Sequence, residues 1–253
     1  MLAPVANETA VLAVLADRYR LPMEKLAPGR VAVTEVAHPG LPVRAFSRLG
    51  GAVVAVTPGH AAQLRELLDG PASLEPALRR MAAAIPGHLF SGVARTGVAI
   101  PPPAVEVTVI DTTDPRLPDW VLGHFTGEAW VVLGDHGEVL SSAVLKRYDD
   151  RLREISVGTA EQARGRGLAR AVVAAAARAV LAEGRVVLYN HAPDNHASAR
   201  VAESVGLHEL GRYHAIVPDR RLAAEFGEDD TVETGEAPGA RGAEPGDRPA
   251  RRI

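Results

Sequence analysis

The hexapeptide Gln162-Ala-Arg-Gly-Arg-Gly167 combines the residue types that cradle a diphosphate. Two glycines let a backbone turn tightly and approach a ligand closely. A helix that starts after Gly167 offers first-turn N–H groups without internal acceptors, and its dipole favours an anion there. Arg164 and Arg166 add positive charge. The competing reading is a strand-to-helix turn whose glycines serve only the change of direction. Two other phosphate motifs do not fit. A Walker A loop ends in Gly-Lys-Ser/Thr, whereas this one ends in Gly167-Leu168-Ala169. A dinucleotide fingerprint needs a third glycine where Arg170 stands.

The flanking segments set this loop between a strand and a helix. Leu152 to Thr159 alternates, with Arg153, Ile155, Val157 and Thr159 on one side and Leu152, Glu154, Ser156 and Gly158 on the other. Leu168 to Glu183 places Leu168, Val172, Ala175, Ala179 and Ala182 at helical spacing, with Arg170 and Arg178 opposite. Six alanines between Ala169 and Ala177 favour helix and allow close approach to a sheet.

With those elements in place, Gln162-x-x-Gly165-x-Gly167 resembles the Q/R-x-x-G-x-G/A signature of the GNAT superfamily of acyl-CoA-dependent N-acetyltransferases. The overlapping Arg164-x-x-Gly167-x-Ala169 fits it too. A second stretch, Asn195 to Leu207, resembles the GNAT segment in which an Asn begins a helix that ends at a Gly-hydrophobe pair, here Gly206-Leu207. The resemblance covers about residues 105–217. It implies an α/β (α+β) fold, a mixed, mostly antiparallel sheet flanked by helices. It also implies acetyl-CoA, or another short acyl-CoA, as co-substrate, with no metal.

The resemblance further distributes roles. The strand at Ile155 to Thr159 splays from its neighbour, so that the backbone of Val157, Gly158 and Thr159 pairs with pantetheine and the acyl oxygen. Arg164, Gly165, Arg166, Gly167, Leu168 and Ala169 hold the phosphates, and Asn195 with Ser198 holds the cofactor arm. Each has a plainer alternative: Gly158 as a strand bulge, Asn195 as a helix cap. Many relatives carry a Tyr general acid seven residues after the Asn, where this chain has Ala202. Tyr189 and Tyr213 either substitute for it or are packed aromatics. Glu154 is the candidate base, with Glu128, His124 and Asp149 as further options, each of which also reads as a solvated surface group. The function implied is acetyl-CoA-dependent N-acetylation of a primary amine, on a small molecule or a peptide, by direct attack in a ternary complex. The alternative is an acyl-CoA-binding regulatory or scaffold protein without turnover. A nucleotide-phosphate enzyme would need a metal-ligand cluster that the sequence lacks.

Bulk properties narrow the classes. At 253 residues and 47% apolar, with mean hydropathy near zero, the chain can bury a sizeable core. A net charge of −3 implies no general nucleic-acid affinity. The absence of cysteine excludes disulfides, thiolate metal sites and a thiol nucleophile. No apolar run approaches the ~18 residues of a membrane span, and Met1 to Ala16 makes a poor signal peptide, so a cytoplasmic protein without membrane partners is expected. A homodimer is left open.

Along the chain, residues 1–100 read as a small α/β accessory module. Its helices are expected at Asn7 to Arg20, capped by Asn7, from Pro58 to about Leu68, and at Leu74 to Ala84. Its strands are expected at Arg30 to Val36, Val43 to Arg48 and Ala52 to Val56. His38, His60 and His88 stand apart and suggest no metal site. Pro101-Pro-Pro103 reads as a connector to a second domain, 104–220. This begins with a strand at Val105 to Ile110, a helical stretch at Leu117 to Phe125, and a hairpin around Gly134-Asp-His-Gly137. It continues after the long helix with a strand at Arg185 to Asn190, a helix at Asn195 to Val205 and a strand at Leu210 to Val217. The short span between the first two strands suggests that the N-terminal module completes the acceptor wall. Residues 228–253, poor in large apolar side chains, are expected to be disordered.

Overall fold

The computed structural model describes residues 4–38, 40–70, 73–85, 87–118, 127–147 and 150–218. The expected helical stretch beyond Pro118, His124, Asp149 and the tail at 228–253 lie outside the described residues.

Among the described residues ten strands form one sheet: β1 (Val31–Glu35), β2 (Val43–Arg48), β3 (Gly51–Val56), β4 (Gly87–Thr96), β5 (Thr108–Asp111), β6 (Glu128–Leu133), β7 (Val139–Arg147), β8 (Leu152–Thr159), β9 (Val186–His191) and β10 (His208–Pro218). Their spatial order is β1-β3-β2-β10-β4-β9-β8-β7-β6-β5. The pairs β1–β3 and β8–β9 are parallel and the others antiparallel. Among the described residues five α-helices cover it: α1 (Pro4–Tyr19), α2 (Ala61–Leu67), α3 (Leu74–Ala84), α4 (Leu168–Ala182) and α5 (His196–Ser204).

The sheet does not divide at Pro101–Pro103. β10 lies between β2 and β4, and β4 lies between β10 and β9, so each half of the chain supplies a strand to the other. β4 is the element that sequence patterning misses. Its inner half, Ser91 and Gly92, lacks the β-branched alternation that marks a strand. Gly92 is there because Tyr213, its partner across β10, lies over it; a Cβ at that position would overlap the Tyr213 ring.

Side-chain alternation assigns the two faces. On one, α4 and α5 pack on Ile155, Tyr189, Trp130 and Val132, and α2 and α3 pack on Val43, Ala45, Val54 and Ile216. On the other, α1 brings Val11, Val14 and Leu15 against Phe46, Leu152, Leu188 and Tyr213. The N-terminal helix is therefore built onto the central strands of the C-terminal half. Asn7 is not its cap, since the helix begins at Pro4. Its side chain is buried instead and donates to Thr96 Oγ1 at 2.6 Å, which donates in turn to the Val187 carbonyl at 2.6 Å. Arg44 closes the far end of α1, donating to the carbonyls of Tyr19, Leu41 and Val36. Burial, followed by the charge of Arg20, lowers its pKa to about 10.

α4 departs from the expected one-sided pattern. Ala171, Val173, Ala174, Ala176, Ala177 and Val180 are buried together with Leu168 and Val172, while Ala182 is exposed. The helix is enclosed by β6 to β9 and by α5, which is why alanine occupies so much of it.

Candidate active site

β8 and β9 pair from Leu152 opposite Val186 only as far as Ile155 opposite Tyr189. Beyond that point β8 stays bonded to β7 through Thr159, whereas β9 pairs with β4 at Asn190 and His191. The two parallel strands thus part into a wedge that opens toward their C-terminal ends. The Ala160 amide donates to the Leu140 carbonyl at 2.9 Å. By the two-residue alternation of an antiparallel pair, Gly158 and Ser156 turn their backbone groups toward β7, and Val157 and Thr159 turn theirs into the wedge. Gly158 is paired in register with Ser142, with no bulge along β8. The Thr159 hydroxyl shares a 2.9 Å hydrogen bond with Ser141 Oγ, and the Val157 side chain packs toward α4.

The mouth of the wedge is the glycine loop. A 3-10 turn at Glu161–Ala163 leads from β8 into Arg164. Gly165 and Gly167 both have φ of +77°, a conformation that side chains strain to adopt, and neither has an atom within 4 Å of where a Cβ would stand. Arg164, Gly165, Arg166 and Gly167 are exposed, Ala169 is half-buried, and Leu168 anchors the helix in the core. Gly167 occupies the cap position without a side-chain cap, and the first helical bond runs from the Ala171 amide to the Gly167 carbonyl. The amides of Leu168, Ala169 and Arg170 consequently have no helical acceptor and face the anion site of a positive helix end. A groove of about 330 Å³ adjoins the loop, bordered by Gln162, Arg166, Leu168, Asp135 and Leu140.

α5 stands on the opposite bank. Asn195 Oδ1 accepts from the Ser198 amide at 3.0 Å, so this side chain is a helix cap. Ser198 Oγ meets the hydroxyl of Tyr189 at 2.7 Å. Tyr189 is buried, which raises its pKa, and Ala202 lies in the same cluster without a polar atom to offer. Tyr213 is on the other face, stacked on Tyr19 with ring centroids 6.3 Å apart and against Phe90 at 5.6 Å.

Glu154 points to that α1 face and is 8% exposed. Its Oε2 accepts from Asn190 Nδ2 at 2.9 Å, and its Oε1 lies 3.9 Å from Lys146 Nζ. Burial, followed by the charge of Glu154, pushes the Tyr213 hydroxyl well above its ordinary pKa. Lys146 and Asn190 are the residues that sequence reading passed over here. No local sequence signal marks them: Lys146 meets Glu154 only through the β7–β8 register, and Asn190 follows the last residue of β9 that pairs with β8. Glu128, the other described candidate base, is at the start of β6 opposite Asp111, exposed and remote from the wedge. Among the described residues no group of His, Cys, Asp or Glu is placed to hold a metal ion, and no helix is long and apolar enough to cross a membrane.

Residues 126–216, which contain the wedge, the glycine loop and α5, match the sequence profile of a family described as GNAT acetyltransferase. No curated protein matches the chain. Among solved structures the chain is similar to a GCN5-related N-acetyltransferase from Kribbella flavida, at 15% identity over 88% of this chain and 99% of that one, with a TM-score of 0.44. It is also similar to an acetyltransferase of the GNAT family from Colwellia psychrerythraea, at 11% identity over 58% and 63% with a TM-score of 0.42. A GCN5-related N-acetyltransferase from Sphaerobacter thermophilus is similar at 20% identity over 60% of each chain, with a TM-score of 0.40. The matches to the Colwellia and Sphaerobacter proteins span less than two thirds of their length.

Proposed function

We propose, from the match of residues 126–216 to the GNAT acetyltransferase profile, that the protein transfers an acetyl group from acetyl-CoA to a primary amine in a single ternary complex. The observation that supports this best is the alignment of the wedge with the glycine loop at its mouth. In this reading the diphosphate of CoA binds the amides from Gly165 to Ala169, with Arg164 and Arg166 as counter-charges. The pantetheine arm lies along the free edge of β8, bonded to the backbone of Val157 and Thr159, and passes Asn195 and Ser198 on α5. An amide aimed at the developing oxyanion contributes on the order of 3 kcal/mol in acyl transfer.

The acceptor amine reaches the thioester from the α1 face, where Glu154 takes its proton. Asn190 fixes the orientation of that carboxylate, and Lys146 keeps a cation beside it. The amine nitrogen bonds to the acyl carbon, the carbon–sulfur bond breaks, and the CoA thiolate leaves. An ordinary thiol pKa near 8.5 lets the thiolate depart without a strong acid, which suits a site where Ala202 replaces the usual Tyr. The expected setting is the cytoplasm, and the acceptor is a small molecule or a peptide.

Calorimetry with CoA and acetyl-CoA, followed by thiol release with a panel of amines, tests this. Binding near the glycine loop with amine-dependent thiol release is expected. Binding without such release would leave a regulatory acyl-CoA-binding protein, and no binding, together with no effect of R164E/R166E, would remove the assignment.

A further inference from the structure

α5 is poorly held by apolar packing. It has nine residues, and Ala202 is its buried one. A helix of that length is not stable by itself, yet it carries the Asn195 cap and Ser198 on the bank of the wedge. One of its polar ties comes from the first half of the chain. Arg95, on β4, is 7% exposed and donates three times: from Nε to His191 Nε2 at 2.9 Å, from Nη2 to Glu203 Oε1 at 3.0 Å, and from Nη1 to the Leu207 carbonyl at 3.5 Å. Glu203 is in the last turn of α5 and Leu207 follows it.

His191 links the same guanidinium to the beginning of the helix. Its Nδ1 lies 2.8 Å from the Ala192 carbonyl, and the Asn195 amide donates to that carbonyl at 3.0 Å. Arginine has no acceptor, so Nε2 must be the bare nitrogen and Nδ1 the protonated one. The imidazole is neutral and its tautomer is fixed by the pair of contacts. Burial favours the same neutral state. Arg95 from β4, Glu203 from α5, Glu209 from β10 and Tyr189 from its own strand are the titratable and charged groups that face this ring.

We propose that Arg95 and His191 are positioning residues, a clamp that fixes both ends of α5 against the sheet and thereby sets the affinity for the acyl-CoA arm. This rests on the reading of α5 as one bank of the acyl-CoA site. The clamp acts on binding, and the reacting atoms lie elsewhere, so the acyl-CoA constant moves and turnover at saturation does not.

The full-length chain is compared with H191F, which removes the acceptor, H191Q, whose amide oxygen restores one, and E203Q, an exposed change that leaves the fold intact. Hydrogen exchange without ligand is expected to show lost protection across His196–Ser204 in H191F, with α4 unchanged. Loss is partial in E203Q and largely recovered in H191Q. The dissociation constant for CoA and KM for acetyl-CoA are expected to rise about ten-fold in H191F, with kcat altered far less, and to return toward wild type in H191Q. Unchanged protection in both H191F and E203Q would overturn the clamp. Lost protection with an unchanged CoA constant would overturn its link to binding. Failure of the wild type to bind CoA at all, with protection still lost in the variants, would instead strike the functional reading and retain the clamp as a purely structural device.

Discussion

Ile155 and Tyr189 are the last residues to join β8 to β9, and the site begins where their pairing ends. On one side of this junction β8 keeps β7 as its neighbour; on the other, β9 is drawn to β4 by Ala94 and Val93. The wedge is therefore held open by strand pairing on its two flanks within the one sheet.

The glycine loop is limited by conformation rather than by space. G165A and G167A each place a Cβ on a residue with φ of +77° but meet no neighbouring atom. Each is expected to cost about 1 kcal/mol in urea-induced unfolding, and both are expected to weaken CoA binding in calorimetry. Loss of binding without any stability cost would argue against the strain.

Glu154 is buried, hydrogen-bonded by Asn190 and close to Lys146. E154Q keeps an oxygen for the Asn190 amide and removes the proposed base. Its kcat is expected to fall by roughly 10²- to 10⁴-fold, with the CoA dissociation constant little changed, in a thiol-release assay supported by calorimetry. An unaltered kcat would transfer the proton to water or to another group.

Gly92 cannot accept a side chain while Tyr213 crosses it. G92A is expected to destabilise the fold by about 1–3 kcal/mol, the usual cost of overpacking, read from the denaturation midpoint. The double variant G92A/Y213A should be less than additive, because the obstructing ring is gone.

Burial holds the imidazoles of His191 and His214 below the ordinary value of 6.5. A histidine whose folded pKa is depressed binds fewer protons folded than unfolded. Its contribution is complete above about 6.5 and is lost as pH falls through the lowered folded value. Thermal unfolding between pH 7.5 and 4.5 should therefore show stability declining on the acid side, a decline that H191Q shares less than wild type does. His214, bonded to Ser91 Oγ at 2.8 Å, contributes in the same direction.

The segment from Leu152 to Ala182 is legible in the sequence because its signals are local: alternation in β8, glycines at two positive-φ positions, and a run of alanine beneath a crowded helix. Asn195 is legible for the same reason, as a cap three residues before its partner amide. β4 is not. Its pairing partners are more than ninety positions away in β9 and β10, its glycine answers to a tyrosine on another strand, and its Arg95 makes sense only beside His191. Lys146 and Asn190 likewise acquire meaning only when register sets them next to Glu154. Asn7 misled for a related reason: a residue type that caps helices was recruited to reach Thr96.

The interleaving of β4 and β10 bears on how the gene can be cut. A fragment beginning after the proline run would retain β10 with neither of its lateral neighbours and would leave the outer rim of β9 bare, two rows of amides open to chance adhesion. The opening hundred codons are thus a structural prerequisite for the C-terminal half, and complementation by two co-expressed pieces is the form in which a split protein would survive.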